Sequence, residues 1–177
     1  MDIFITNIND SKKLDKSVLN EFQDKKIHNT KKQIQHSFSY LMLDRILKDV
    51  YKITEYELVF INKKPYLKNR EKYISLSHSE DYAAICFSDN ECGIDIEKMT
   101  ERNFKKISER KNFVAETAED FYKNWTLYEA EYKLACEAKS HKHIQFKDYM
   151  LTAVSDNINE EFIIYIQVLE DISKSQK

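Results

Sequence analysis

Apolar positions along the chain recur in two rhythms, one suited to strands and one to helices. Residues 2–8 alternate enough to predict a short strand, and residues 11–32 are polar and lysine-rich, with a short helix expected around Ser17–Lys26. Ile34, Phe38, Leu41, Ile46 and Val50 fall near one face of a longer helix over Lys31–Val50. Residues 56–61 are strand-like, and Asn62, Lys63, Lys64 and Pro65 read as a turn. Tyr73–Ser77, Tyr82–Phe87 and Gly93–Glu97 predict three strands in succession, hence an antiparallel meander. The clearest helix is Thr117–Ala138, where Phe121, Trp125, Tyr128, Tyr132 and Ala135 make an apolar stripe and Thr117 with Asp120 resembles a cap. Two closing strands are expected near Phe146–Val154 and Glu161–Leu169, with a frayed tail from Ser173.

These elements predict an α+β fold. Composition narrows the class: 177 residues suit one compact domain or two small halves, and 42% hydrophobic with 33% charged residues favours a packed core over disorder. A net charge of -2 argues against a nucleic-acid binder. The charge divides unevenly: residues 1–90 carry 15 basic and 13 acidic side chains, and residues 91–177 carry 13 and 17, which places acidic chemistry in the second half. Cys86, Cys92 and Cys136 are odd in number and lack metal-binding spacing, so reduced thiols and a cytoplasmic location are expected. Neither a signal segment nor a membrane-spanning run is recognisable. The single glycine, Gly93, must answer a local requirement, since no other glycine is present.

Three groups of residues carry candidate chemistry. Asp95 and Glu97, two apart on a strand, share a face, with Ile94 and Ile96 turned to the core. Adjacent carboxylates repel unless a cation lies between them, and an all-oxygen set suits Mg2+. Taken alone, the short pattern favours an exposed strand face with two solvated acids. Glu129 and Lys133 are i, i+4 on the long helix, either an ordinary surface pair or a third carboxylate beside a phosphate-holding cation. Ser75, Ser77, His78 and Ser79 lie at a strand end and suit either a phosphate cradle or a hydrogen-bonded turn. His141 and His143 read as loop residues on a solvated surface, and Trp125 as core.

The order of Ile74, Ser75, Leu76, Ser77, His78 and Ser79, then Gly93 to Glu97 as Gly-Ile-Asp-Ile-Glu, then Trp125, Glu129, Ala130 and Lys133, resembles the phosphopantetheinyl transferase superfamily. The likeness is nearest to the monomeric type that activates peptide and polyketide synthetases, and it covers roughly residues 31–169. It implies a pseudo-dimer of two similar half-domains, residues 1–90 on the coenzyme A side and residues 91–177 carrying the metal. Each half would pack a long helix on a small antiparallel sheet. It further implies Asp95, Glu97 and Glu129 as Mg2+ ligands and Lys133 at the pyrophosphate. Ser77 and His78 would lie near the 3'-phosphate of coenzyme A, and Lys64 would be a further coenzyme A contact. Glu116 becomes the first candidate for deprotonating the incoming serine, and Glu129, through a water, the second. The implied partner is an acyl or peptidyl carrier protein, with no nucleic acid and no membrane. Residues 98–111, with six Lys or Arg against two Glu, are the expected docking segment for its acidic helix. Tyr128 stands where the family carries a basic residue, and His36 where it carries arginine.

Two other classes remain open at this stage: a non-catalytic carrier-binding protein, and a Mg2+-dependent nuclease. The nuclease pattern wants Glu-x-Lys on a strand, whereas Lys98 follows Glu97 directly and points the other way.

Overall fold

A computed structural model describes residues 1–13, 19–69, 71–101, 103–111 and 113–166. The fold is α+β, with three α-helices and three sheets among the described residues. The strands are β1 (Asp2–Asn7), β2 (Leu58–Ile61), β3 (Lys64–Leu67), β4 (Tyr73–Ser79), β5 (Tyr82–Ser88), β6 (Cys92–Lys98), β7 (Ser140–Phe146), β8 (Tyr149–Ser155) and β9 (Ile163–Ile166). The helices are α1 (Thr30–Arg45, continued by a π turn over Ile46–Val50), α2 (Phe104–Lys111) and α3 (Ala118–Leu134).

Strand alternation sorts the core into layers. In β1 and β5, Phe4, Ala83, Ile85 and Phe87 face Phe38, Met42, Leu43 and Ile46 of α1 and the turn that follows it. Their neighbours Ile3, Ile5, Ala84 and Cys86 face the other way and meet Ile94 and Ile96 of β6 and Leu151 and Ala153 of β8. Residues of β6 and β8 on the opposite face, among them Gly93, Met150, Thr152 and Val154, lie under α3. The order is therefore helix, sheet, sheet, helix. Burying apolar side chains on both faces of each sheet supplies the dominant stabilising term.

The first sheet runs β4-β5-β1-β9, antiparallel except for the parallel β1–β9 pair. The third runs β6-β8-β7, fully antiparallel. The hairpin β2–β3 stands apart as a two-stranded sheet, and its turn residues Asn62 and Lys63 both take positive φ, 50° and 70°. The expected three-strand meander stops after two: β4 and β5 form a hairpin, but β6 leaves to pair with β8. The single strand expected at Phe146–Val154 is two strands, β7 and β8, joined at Lys147 and Asp148, with Lys147 at φ 53°. β9, from the far end of the chain, completes the sheet of the first half. In the Ser17–Lys26 segment, residues 17 and 18 lie outside the described residues; beyond them are i to i+3 bonds from Phe22 to Leu19 and from Gln23 to Asn20. Residues 167–169 of the last expected strand, the tail, and Arg102 also lie outside them.

α3 begins as the sequence predicts. Thr117 accepts from the Asp120 amide and Asp120 accepts from the Thr117 amide, a reciprocal capping box. It ends three residues past Glu131, with Ala135 in the left-handed region at φ 66°. The buried face is not the expected aromatic stripe. Phe121, Tyr122, Thr126, Ala130 and Leu134 are buried, while Tyr128 and Tyr132 are exposed and Trp125 is half-buried. The rings of Trp125 and Tyr128 instead lie under the Lys111 ammonium, at 5.7 and 4.4 Å to their centroids.

Candidate functional site

Gly93 determines how closely α3 sits on β6. A Cβ there would stand 2.1 Å from the Ala130 carbonyl oxygen and 2.9 Å from the Leu134 amide nitrogen. Only glycine permits that approach, which answers why the chain keeps one. The same contact lays the C-terminal half of α3 over the start of β6, while Tyr122, near the other end, hydrogen-bonds Thr100 just past it. Strand and helix thus run in opposite directions, and Lys133 comes to rest at Asp95.

The carboxylates at this joint are oriented by serines. β6 is an open edge of its sheet, and its outward amides are met by hydroxyls from β4. Ile94, Ile96 and Lys98 donate to Ser75, Ser77 and Ser79 at 3.2, 3.3 and 3.1 Å. With those lone pairs engaged, Ser77 donates its proton to Asp95 Oδ1 at 2.7 Å and Ser79 donates to Glu97 Oε2 at 3.0 Å. Three serines at alternate positions therefore hold both the strand and its two acids.

Lys133 Nζ donates to Asp95 Oδ1 at 2.8 Å and to the Ile94 carbonyl at 3.0 Å. Asp95 is 6% exposed, and its second oxygen, Oδ2, is buried with no hydrogen-bond partner. A buried carboxylate oxygen without a partner costs free energy unless a donor or cation reaches it. Glu129, one turn before Lys133 on α3, is half-buried and makes no hydrogen bond or ion pair among the described residues. The surface pair Glu129–Lys133 is thus replaced by Lys133–Asp95. The all-oxygen donor set and the orphaned Oδ2 fit a hard divalent cation. Among the described residues, however, no three His, Cys, Asp or Glu side chains are already gathered as a metal site, so Glu97 and Glu129 must move toward Asp95 to complete one.

The remaining expected residues are distributed as follows. Ser77 lies at the joint, but its hydroxyl is spent on Ile96 and Asp95. His78, its neighbour on β4, is turned to the α1 side by strand alternation and is exposed at one edge. Crowding by surrounding atoms lowers its pKa below the usual imidazole value, and the charges of Lys133 and His36 lower it further. The His36 pKa is also lowered by burial, and its ring packs 4.6 Å from that of Tyr40. Lys64 is buried, its ammonium bonded to Glu91, the Cys92 carbonyl and the Leu134 carbonyl. Glu116 is exposed and precedes the cap of α3. At about 1.5 Å of rise per residue, the start of the helix at Ala118, two residues after it, lies roughly 16 Å from Glu129. The structure therefore brings together Ser77, Asp95, Glu97 and Lys133 with Glu129 alongside, and leaves Glu116 apart.

Sequence reasoning missed the roles of Ser75 and Ser79. Their spacing of two from Ser77 on a predicted strand was the available signal, since alternate serines on one face repeat the period of the amides they meet. It also missed β7. There His141 and His143 pack ring to ring at 4.9 Å on a strand, not a loop, and His143 Nδ1 lies 2.8 Å from Thr152 Oγ1. No described helix is long and apolar enough to cross a membrane. No known protein-family pattern matches the chain, and no curated protein is similar enough to stand as a relative.

Proposed function

We propose that the chain transfers the 4'-phosphopantetheine arm of coenzyme A to a serine of an apo acyl or peptidyl carrier protein, with release of adenosine 3',5'-bisphosphate. The single observation that carries the reading is the joint of β6 and α3. A buried carboxylate with an unpartnered oxygen accepts from a lysine ammonium, with Glu97 two residues along the same strand and Glu129 one turn before that lysine on the helix. With Glu97 and Glu129 drawn in toward Asp95, such a joint would suit a diphosphate ester and its cation. In this reading Asp95, Glu97 and Glu129 hold Mg2+, which when bound would neutralise charge on the pyrophosphate. Lys133, now on Asp95 Oδ1, turns to the leaving phosphate and stabilises its developing charge. Ser77 and Ser79 keep the two strand carboxylates aimed. His78 faces the 3'-phosphate from the α1 side. With Glu116 ahead of the far end of the helix, Glu129, acting through a water, takes the role of base toward the carrier serine.

The pseudo-dimer belongs to the same proposal: α1 with the first sheet and α3 with the third correspond as two related halves, in a monomeric, cytoplasmic enzyme. The exposed basic face of α2, with Lys105, Lys106, Arg110 and Lys111, would receive the acidic helix of the carrier. Neither nucleic acid nor membrane is needed.

The test is turnover of coenzyme A with an apo carrier protein and Mg2+, read as the mass gain of the carrier. Asp95→Ala, Glu97→Ala and Glu129→Ala should each remove most of that turnover while the fold persists. Near wild-type turnover in all three at limiting Mg2+ would refute the site. Coenzyme A binding without transfer would favour the non-catalytic carrier-binding reading, and DNA cleavage the nuclease.

A further inference from the structure

We propose that Lys64 is a positioning residue that ties the Lys133-bearing end of α3 to the start of β6, and is not a contact to coenzyme A. Its catalytic consequence rests on the transferase reading; its placement rests on the contacts alone.

Lys64 opens β3, and its side chain runs inward to the junction of two other elements. An ammonium has three protons, and three acceptors surround this one: Glu91 Oε2 at 2.7 Å, the Cys92 carbonyl at 2.9 Å and the Leu134 carbonyl at 3.3 Å. The Tyr66 ring covers it at 5.0 Å. With its side chain 8% exposed, Lys64 has no donor left for a phosphate. Burial alone would lower its pKa, but the hydrogen bond it donates to Glu91 and the surrounding negative charge raise it on balance, so the cation persists.

The three acceptors belong to two elements. Cys92 begins β6, immediately before the glycine over which α3 crosses, and Glu91 precedes it. Leu134 ends α3, immediately after Lys133, and its carbonyl is one of the helix-terminal groups without an intrahelical partner. A cation at that end is also favoured by the helix dipole. One ammonium therefore fastens the helix end to the strand beside the place where Lys133 must reach back to Ile94 and Asp95. Without it, the last turn of α3 is free to lift, and Lys133 leaves Asp95.

The experiment compares wild type, Lys64→Met, Lys64→Arg and the double variant Lys64→Met with Glu91→Gln. The double variant leaves no unpaired buried charge and keeps the question answerable if the single variant does not fold. Two readouts follow Lys133 and coenzyme A separately. Amine acylation mapped by mass spectrometry should show labelling of Lys133 rising several-fold relative to Lys105 in the folded Met variants, with Lys64→Arg restoring part of the protection. Coenzyme A affinity by calorimetry should stay within about twofold, while turnover falls at least about tenfold. In a Lys133→Ala background the same change should leave residual turnover unaltered. Unchanged Lys133 labelling in a folded variant overturns the proposal. So does a loss of coenzyme A affinity of about tenfold with turnover at saturation intact, which marks a direct contact. If wild type transfers nothing to any carrier, the transferase reading fails, while the labelling result still decides the role of Lys64.

Discussion

Replacing Gly93 with alanine tests the joint most directly. The new Cβ would lie 2.1 Å from the Ala130 carbonyl oxygen, and ordinary contact begins near 3.4 Å, so strand and helix must separate by 3.4 − 2.1 = 1.3 Å. The obstacle is backbone, so no side-chain rotation relieves it. Overpacking of this kind costs about 1–3 kcal/mol, and a backbone clash belongs at the upper end. The separation also draws Lys133 from Asp95, leaving a buried carboxylate with fewer partners. Because Lys133 is partly exposed, at 28%, water recovers some of that loss, and an added cost of about 1 kcal/mol is reasonable. The sum, roughly 3–4 kcal/mol, corresponds to a fall in Tm of about 6–16 °C for a domain of this size. Thermal and urea melts followed by circular dichroism measure it. Val154→Ala in the Gly93→Ala background should not restore stability, because the Val154 methyl, at 3.0 Å, is not the closest obstacle. A Gly93→Ala protein that melts within about 1 °C of wild type would refute the close-approach reasoning.

Three further outcomes are expected. Ser75→Ala and Ser77→Ala, which strip a partner from the buried amides of Ile94 and Ile96, should each cost about 1–3 kcal/mol in urea melts, and Ser79→Ala, at a more open position, less. Ala135→Gly should raise stability by about 0.5–1 kcal/mol, because glycine takes the left-handed conformation without the Cβ penalty; an unchanged or lower melting point would count against that account. The pKa of His143 is lowered by burial first and by the neighbouring His141 and Lys123 next, so its neutral form is favoured in the folded state. The stability this contributes is present above the ordinary imidazole value, about 6.5, and is lost as pH falls through the lowered folded value. His143→Asn should flatten the decline in stability between roughly pH 7 and 5, and an equally steep decline would sink the assignment.

How much of this was legible beforehand varied with the kind of information involved. The capping box of α3, the shared face of Asp95 and Glu97 and the need for Gly93 all follow from local rules, and the structure realises each of them. The meander and the buried stripe of α3 did not. Both depend on which surface a strand or helix meets: β6 carries the alternation of a meander strand whether it pairs with β5 or β8, and α3 has aromatic side chains on two faces. Tyr128 and Tyr132 match a helical period but face Lys111 and solvent, while the smaller Thr126 and Ala130 are buried because close approach to β6 requires small residues. Lys64 shows the same limit: a lysine before a proline in a hairpin looks solvent-facing until the carbonyls of Cys92 and Leu134 are brought to it.

The hydroxyl row on β4 also bears on how the protein avoids associating with itself. An open strand edge with free amides is a template for a foreign strand, and charge or proline are the usual deterrents. Here Ser75, Ser77 and Ser79 occupy the amides of Ile94, Ile96 and Lys98 from across the sandwich, so an incoming strand finds its hydrogen-bonding sites already filled. Because those serines project from the inner face of the other sheet, any opening that parts the two sheets uncovers the edge of β6 and the apolar faces of Ile94 and Ile96 at one stroke. Partial opening of the sandwich, more than complete unfolding, is then the state from which the chain would aggregate.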